Sequence, residues 1–172
     1  MMENELEPSI EKTLSDAVAD FSAETALTPE LLQARRDRIV ALESAIGSLP
    51  DSYGMDEFNE GKIKHHFATG VYGRELFIPK GNVIVSKIHR AKTFNVIAKG
   101  VISVICPTNG FNTYEGPFCF VSEPFTKRVV IAHEDTLWIT CHGYEGSEDL
   151  KEVEEKIIAK DFEELKTLTG GA

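Results

Sequence analysis

A chain of 172 residues with 18 Lys and Arg against 28 Asp and Glu has a formal net charge of −10 and a pI near 5.0, a length that suits one domain with appendages. At 42% hydrophobic and 27% charged, with 10 Phe and one Trp, it has enough apolar surface to bury a core, which excludes a disordered chain. No apolar run reaches a membrane span, and the start MMENELEPSIEK is acidic where a secretory signal is basic and then apolar. Three cysteines without CxxC spacing (Cys106, Cys119, Cys141) indicate reduced, buried thiols in an unexported protein.

Residues 1–50 read as a helical arm. Ile10, Leu14, Ala17 and Phe21 form one apolar stripe at helical spacing, with Glu11, Lys12, Asp16 and Asp20 opposite. A second helix has Thr28 as cap, Pro29 in its first position, Glu30 at the positive end, and Gly47 and Pro50 as stops. Its seam, Leu32, Ile39, Leu42 and Ile46, is narrow enough for a helix–helix contact. The seam is the expected assembly surface of a homo-oligomer, and docking on the body of the same chain is the competing expectation. Residues 51–61 are polar and turn-rich and read as a linker.

From 62 to 143 the texture changes to nine short β-branched and aromatic runs (KIKHHF, VYGRELFI, NVIVSKIH, TFNVIA, GVISVIC, FNTY, PFCFVS, KRVVIAH and DTLWITCH), divided by turn signals such as Lys99-Gly100 and Asn109-Gly110. Near-even spacing of such runs predicts an all-β sandwich or barrel. After Gly143 the period is helical again, with Ser147 as the expected cap and Leu150, Val153, Ile157 and Leu165 on one face, so residues 144–172 are expected to be a closing helix and tail. Charge divides along the same lines: −10 over residues 1–60, +5 over 61–143 and −5 over 144–172. Complementarity between arms and body explains this better than a nucleic-acid surface, so any nucleic-acid binding through bases such as Lys127 and Arg128 is expected to be weak.

Between Gly81 and Gly100, GNVIVSKIHRAKTFNVIAKG has the length and punctuation of the first cupin motif, G-x5-HxH-x3-E-x6-G. Residues 62–142 therefore resemble the cupins, which implies a mainly β, double-stranded β-helix (jelly-roll) barrel, here with N-terminal and C-terminal helices. Lys87 stands at the first metal-binding His of the motif, His89 keeps the second, and Thr93 replaces the Glu. The second motif, P-x-G-x-x-H-x-x-x-N, falls on Pro124 to His133, with Thr126 for the Gly, Val129 for the metal His and His133 at the Asn position. No metal and no other cofactor is therefore expected, although an irregular site of His89, His133 and His142 is a second arrangement to test. The stretches HHFATGVYGRELFIPKGNVIVSKIH and AHEDTLWITCHG, with the final acidic helix, resemble small cupin-like proteins encoded by tailed bacteriophages. That resemblance implies a phage gene product, located in the virion or the bacterial host cytoplasm.

Lys87 and His89 share parity and so one face, read as the barrel interior, where they suit an anionic or carbonyl-bearing ligand. His133 and Asp135 form a same-side pair, and Asp135 or Glu134 is the expected partner of Lys87. Arg74, on one face with Tyr72, is a candidate carboxylate or phosphate contact. The motifs GxxxxGK[ST], HExxH and GxSxG are absent, so common nucleotide and hydrolase chemistries have no support. The leading expectation is a non-enzymatic, virion-associated structural or accessory protein that self-associates or docks on other virion proteins. The alternative is a cytosolic small-molecule binder or metal-free epimerase or isomerase, with His89 or His133 as base and Lys87 as electrostatic stabiliser.

Overall fold

Period-two patterning from residue 63 onward becomes ten short strands in the computed structural model, which describes residues 8–22, 26–49, 52, 61–162 and 164. They are β1 (Ile63–Ala68), β2 (Val71–Ile78), β3 (Val83–Val85), β4 (Ile88–His89), β5 (Thr93–Lys99), β6 (Val101–Cys106), β7 (Gly110–Glu115), β8 (Phe118–Ser122), β9 (Val129–Ala132) and β10 (Thr136–Gly143), with β11 (Ile158–Ala159) following the last helix. The run NVIVSKIH, read as one strand, divides into β3 and β4. All ladders are antiparallel, in sheets ordered β1-β2-β10-β5-β8 and β3-β9-β6-β7, with β11-β4 as a small third. Pairing of β2 with β10 and of β3 with β9 requires the chain to pass repeatedly between the two sheets, which is the jelly-roll winding. The protein is thus mainly β, a jelly-roll barrel flanked by helices.

Alternation gives each sheet two distinct faces. Leu76, Ile78, Ile97 and Trp138 from the larger sheet meet Ile84, Ile102, Val104, Val130 and Ala132 from the smaller one, forming the barrel core. The other face of the smaller sheet carries Val83, Val85, Ile105, Val129 and Ile131, and the helical arm covers it: Leu14, Ala17 and Phe21 of α1 (Pro8–Ser22) with Ile39 and Leu42 of α2 (Pro29–Gly47). The α2 seam is therefore occupied within the chain. Ile39 and Leu42 are fully buried, Ile46 packs beside them and Leu32 is half-buried, so Ile39 and Leu42 are engaged by docking on the body of the same chain, the competing expectation for this seam. Ile10, Leu165 and nearly all of the 51–61 segment lie outside the described side chains.

Thr28 caps α2 as expected, its hydroxyl accepting from the Leu31 amide at 3.2 Å. At α3 (Leu150–Ile157) the cap is Asp149, which accepts from Lys151 and Glu152 amides, both at 3.0 Å; Ser147 instead donates to the Glu152 carboxylate. The helix is shorter than its apolar period suggests because the chain turns extended at Ile158 and pairs with β4, Ile158 opposite His89 and Ala159 opposite Ile88. No described helix is long and apolar enough to cross a membrane.

Two substitutions test this packing. Leu42→Ala is expected to cost about 2–5 kcal/mol, read as a lower urea midpoint with no change in assembly state; dissociation of an oligomer at an unchanged midpoint would restore the intermolecular reading. Gly100 holds φ +94°, and a Cβ there would meet Thr136 Oγ1 at 2.4 Å and the Asp135 carbonyl oxygen at 2.7 Å. Gly100→Ala is therefore expected to destabilise by at least about 1–3 kcal/mol in the same assay, because neither backbone nor neighbour can yield.

Candidate functional site

The register stacks the inner face of the larger sheet in layers. Trp138 lies opposite Leu76 and Ile97, giving an apolar floor. Two residues further on, Thr140 lies opposite Arg74 and Asn95, and beyond that His142 lies opposite Tyr72. The resulting cleft is narrow, about 50 Å³, and is lined by Arg74, Ser86, Lys87, His89, Asn95, Arg128 and Thr140 above Leu76, Ile78, Ile84, Val130 and Trp138.

Asn95 organises the neutral part of the polar layer. Its amide nitrogen donates to Ser122 Oγ at 2.9 Å and to the Thr93 carbonyl at 3.0 Å, while its oxygen accepts from Trp138 Nε1 at 3.0 Å and Thr140 Oγ1 at 3.3 Å. Such a network is stable in a low-dielectric interior because its members satisfy one another. The charged residues are different. Arg74 makes no hydrogen bond or ion pair with any described residue, and burial pushes its guanidinium below the ordinary range, though an arginine still keeps its proton. Arg128 is 6% exposed, and among the described residues its guanidinium donates only to Thr126 Oγ1, at 2.5 Å. It is presented by a loop in which Phe125 takes a left-handed backbone (φ 60°) and donates its amide to the His89 carbonyl at 2.8 Å. Lys87 pairs with Glu154 of α3, the one described carboxylate in an ion pair with a cleft residue.

His89 and His142 meet edge to face, ring centroids 4.8 Å apart, with His89 Nδ1 and His142 Nε2 both buried and unpartnered. Burial, assisted by the neighbouring ring, Arg128 and Arg74, drives His89 down to about 3; burial and then Arg74 drive His142 down to about 4. Both imidazoles are neutral at pH 7. Tyr72 continues this line outward, sharing a 2.7 Å hydrogen bond with His65 Nδ1.

Of the expected ligand contacts, Arg74, Lys87 and His89 come together in the cleft, while His133 and Asp135 do not. His133 is exposed and hydrogen-bonds Ser103 Oγ at 2.7 Å, and Asp135 is exposed and accepts from the Lys80 amide at 2.9 Å. Lys87 finds its carboxylate in Glu154 rather than in Glu134 or Asp135. The second-motif register also shifts: Val129, placed at a metal His, packs outward under α1 and α2, and the inward neighbour is Arg128. Arg128 and Lys127 are also not a free basic surface, since Lys127 pairs with Glu43 of α2 at 2.6 Å and is 14% exposed. Sequence reasoning passed over Arg128 and Glu154 as site residues, because KRVVIAH has no alternation to mark faces and Glu154 is one of many acids on its helix.

A divalent metal does not fit this cleft. No group of three or more His, Cys, Asp or Glu converges among the described residues, Thr93 is committed to Asn95, and His133 is too far outside to join His89 and His142. Two guanidiniums beside neutral imidazoles form a donor set for an anion.

No family model matches the chain, and no curated protein matches it. Among solved structures it is similar to an ectoine synthase from P. lautus (9% identity, 60% of this chain and 85% of that one, TM-score 0.46), to KdgF from Halomonas sp. (16%, 51% and 81%, TM-score 0.43) and to an RmlC-like cupin with a double-stranded β-helix fold from Methanocaldococcus jannaschii (12%, 47% and 77%, TM-score 0.41). The strand order and winding define a double-stranded β-helix (jelly-roll) barrel flanked by helices.

The buried histidines give a pH test. Their folded values lie below the unfolded value near 6.5, so the unfolded chain binds more protons and stability is lost as pH falls from 6.5 towards 3. His89→Gln with His142→Gln is expected to flatten that part of the stability profile relative to the parent, measured by urea midpoints from pH 7 to pH 4; parallel profiles would show that the imidazoles are not held neutral.

Proposed function

We propose that the barrel is a receptor for a small anionic molecule bearing a carboxylate or phosphate, held by Arg74 and Arg128 with its organic part against Trp138 and Ile84. The observation that carries this reading is the pair of inward guanidiniums that make no ion pair with any described carboxylate. Leaving a charge desolvated and unpaired is expensive, and a bound anion supplies the missing partner through charge-assisted, bidentate hydrogen bonds. The isomerase alternative is less well supported, because His89, at about 3, has little driving force as a base at neutral pH, and His133 lies outside the cleft. A virion role rests on the resemblance to phage proteins alone once the α2 seam is spent within the chain.

The test combines calorimetry with thermal unfolding, using succinate as probe. Arg74→Met is expected to weaken binding at least about tenfold, and yet to raise the melting temperature, because it removes the desolvation cost of a half-buried cation that has no ion-pair partner among the described residues. A wild-type protein that ignores succinate, or an Arg74→Met variant that binds as well as wild type, would overturn the proposal.

A further inference from the structure

Among the described residues, the carboxylate that pairs with a cleft cation is the chain's own Glu154. Val153 and Ile157 pack α3 on Phe67, Tyr72 and Tyr144, which sets Glu154, the residue after Val153, against Lys87 at the cleft wall. The helix continues into β11, hydrogen-bonded to the strand that carries His89, and Arg90 donates to the Ile158 carbonyl at 2.7 Å. Helix, lysine and cleft rim are thus one connected unit. The Glu154 charge also reaches Arg74 and Tyr72, so its field falls across the cleft mouth.

Glu154 keeps 51% of its side chain exposed and Lys87 27%, and ion pairs this open are held only weakly. A carboxylate delivered by a ligand already anchored on Arg74 and Arg128 replaces Glu154 at small cost, since Glu154 then returns to water while the ligand gains a third cation. Resting on the anion-receptor reading, we infer that Lys87 is a second anion subsite filled by Glu154, and that the ligand class is a dianion: one anionic group on the two arginines and another on Lys87 in place of Glu154. The pair of Lys87 and Glu154 is the protein's internal copy of that second contact.

The experiment compares succinate with butyrate, a four-carbon monoanion, by calorimetry on the full chain as wild type, Lys87→Met, Glu154→Gln and Glu155→Gln. Wild type is expected to bind succinate at least about tenfold tighter than butyrate, Lys87→Met to reduce that preference to about two- to threefold, and Glu154→Gln to tighten succinate binding by about tenfold. Glu155→Gln, which removes one charge from an exposed neighbour on the same helix, is expected to stay within about twofold of wild type. A preference that survives Lys87→Met, a Glu154→Gln variant no tighter than wild type, or an equal gain in Glu155→Gln would overturn the second subsite and leave the arginine site standing. Failure of both probes to bind wild type would remove the anion reading together with this inference.

Discussion

Positive charge held inside a barrel without an equal number of carboxylates is the constraint around which the interior is arranged. Arg128 is buried between the two sheets and Arg74 is half-buried beside it, and the neutral groups around them are already committed: Asn95 to Ser122, Thr93, Trp138 and Thr140, and Thr126 to Arg128. Desolvation keeps His89 and His142 neutral, assisted by Arg74 at both rings and by Arg128 at His89. The excess of bases over acids between residues 61 and 143 is thus partly an interior feature, since Arg74, Lys87 and Arg128 all line the cleft. An interior of this sign repels a divalent cation and attracts an anion.

The rest of the fold supplies a rigid frame for that charge. One face of the smaller sheet is sealed by α1 and α2, so β9, which follows Arg128 directly, is clamped between the helices on one side and the barrel core on the other. Acidic residues of the arm contribute to the seal, as Glu43 does with Lys127. On the opposite side α3 and β11 hold the cleft rim through β4 and Arg90, whose guanidinium also pairs with Glu164 at 2.5 Å. Complementary charge between arms and body is therefore present in specific contacts.

The strands were readable because period-two patterning and turn glycines mark their ends, α1 because Leu14, Ala17 and Phe21 recur at helical spacing, and α2 because Thr28, Pro29 and Gly47 act locally. What was unreadable is what depends on a distant partner. A narrow seam on α2 has the same sequence whether it meets another molecule or the outer face of a sheet in its own chain. The second cupin motif, laid one residue out of phase, turned Val129 inward and Arg128 outward, which is the whole difference between a lost metal ligand and a buried cation. Arg74 was placed on one face with Tyr72, yet a lone arginine in a strand does not announce that the face turns into the cleft or that no described residue pairs with it.

The central claim is that Arg74 and Arg128 together receive an anion, and the most direct measurement is NMR of the side-chain Nε–Hε groups in protein labelled with 15N-arginine during a succinate titration. The account expects the Arg74 and Arg128 signals to shift together along one saturating curve while those of the outer arginines Arg36 and Arg38 stay in place. Unmoved Arg74 and Arg128 signals, or a uniform unsaturating drift of all arginines, would contradict it.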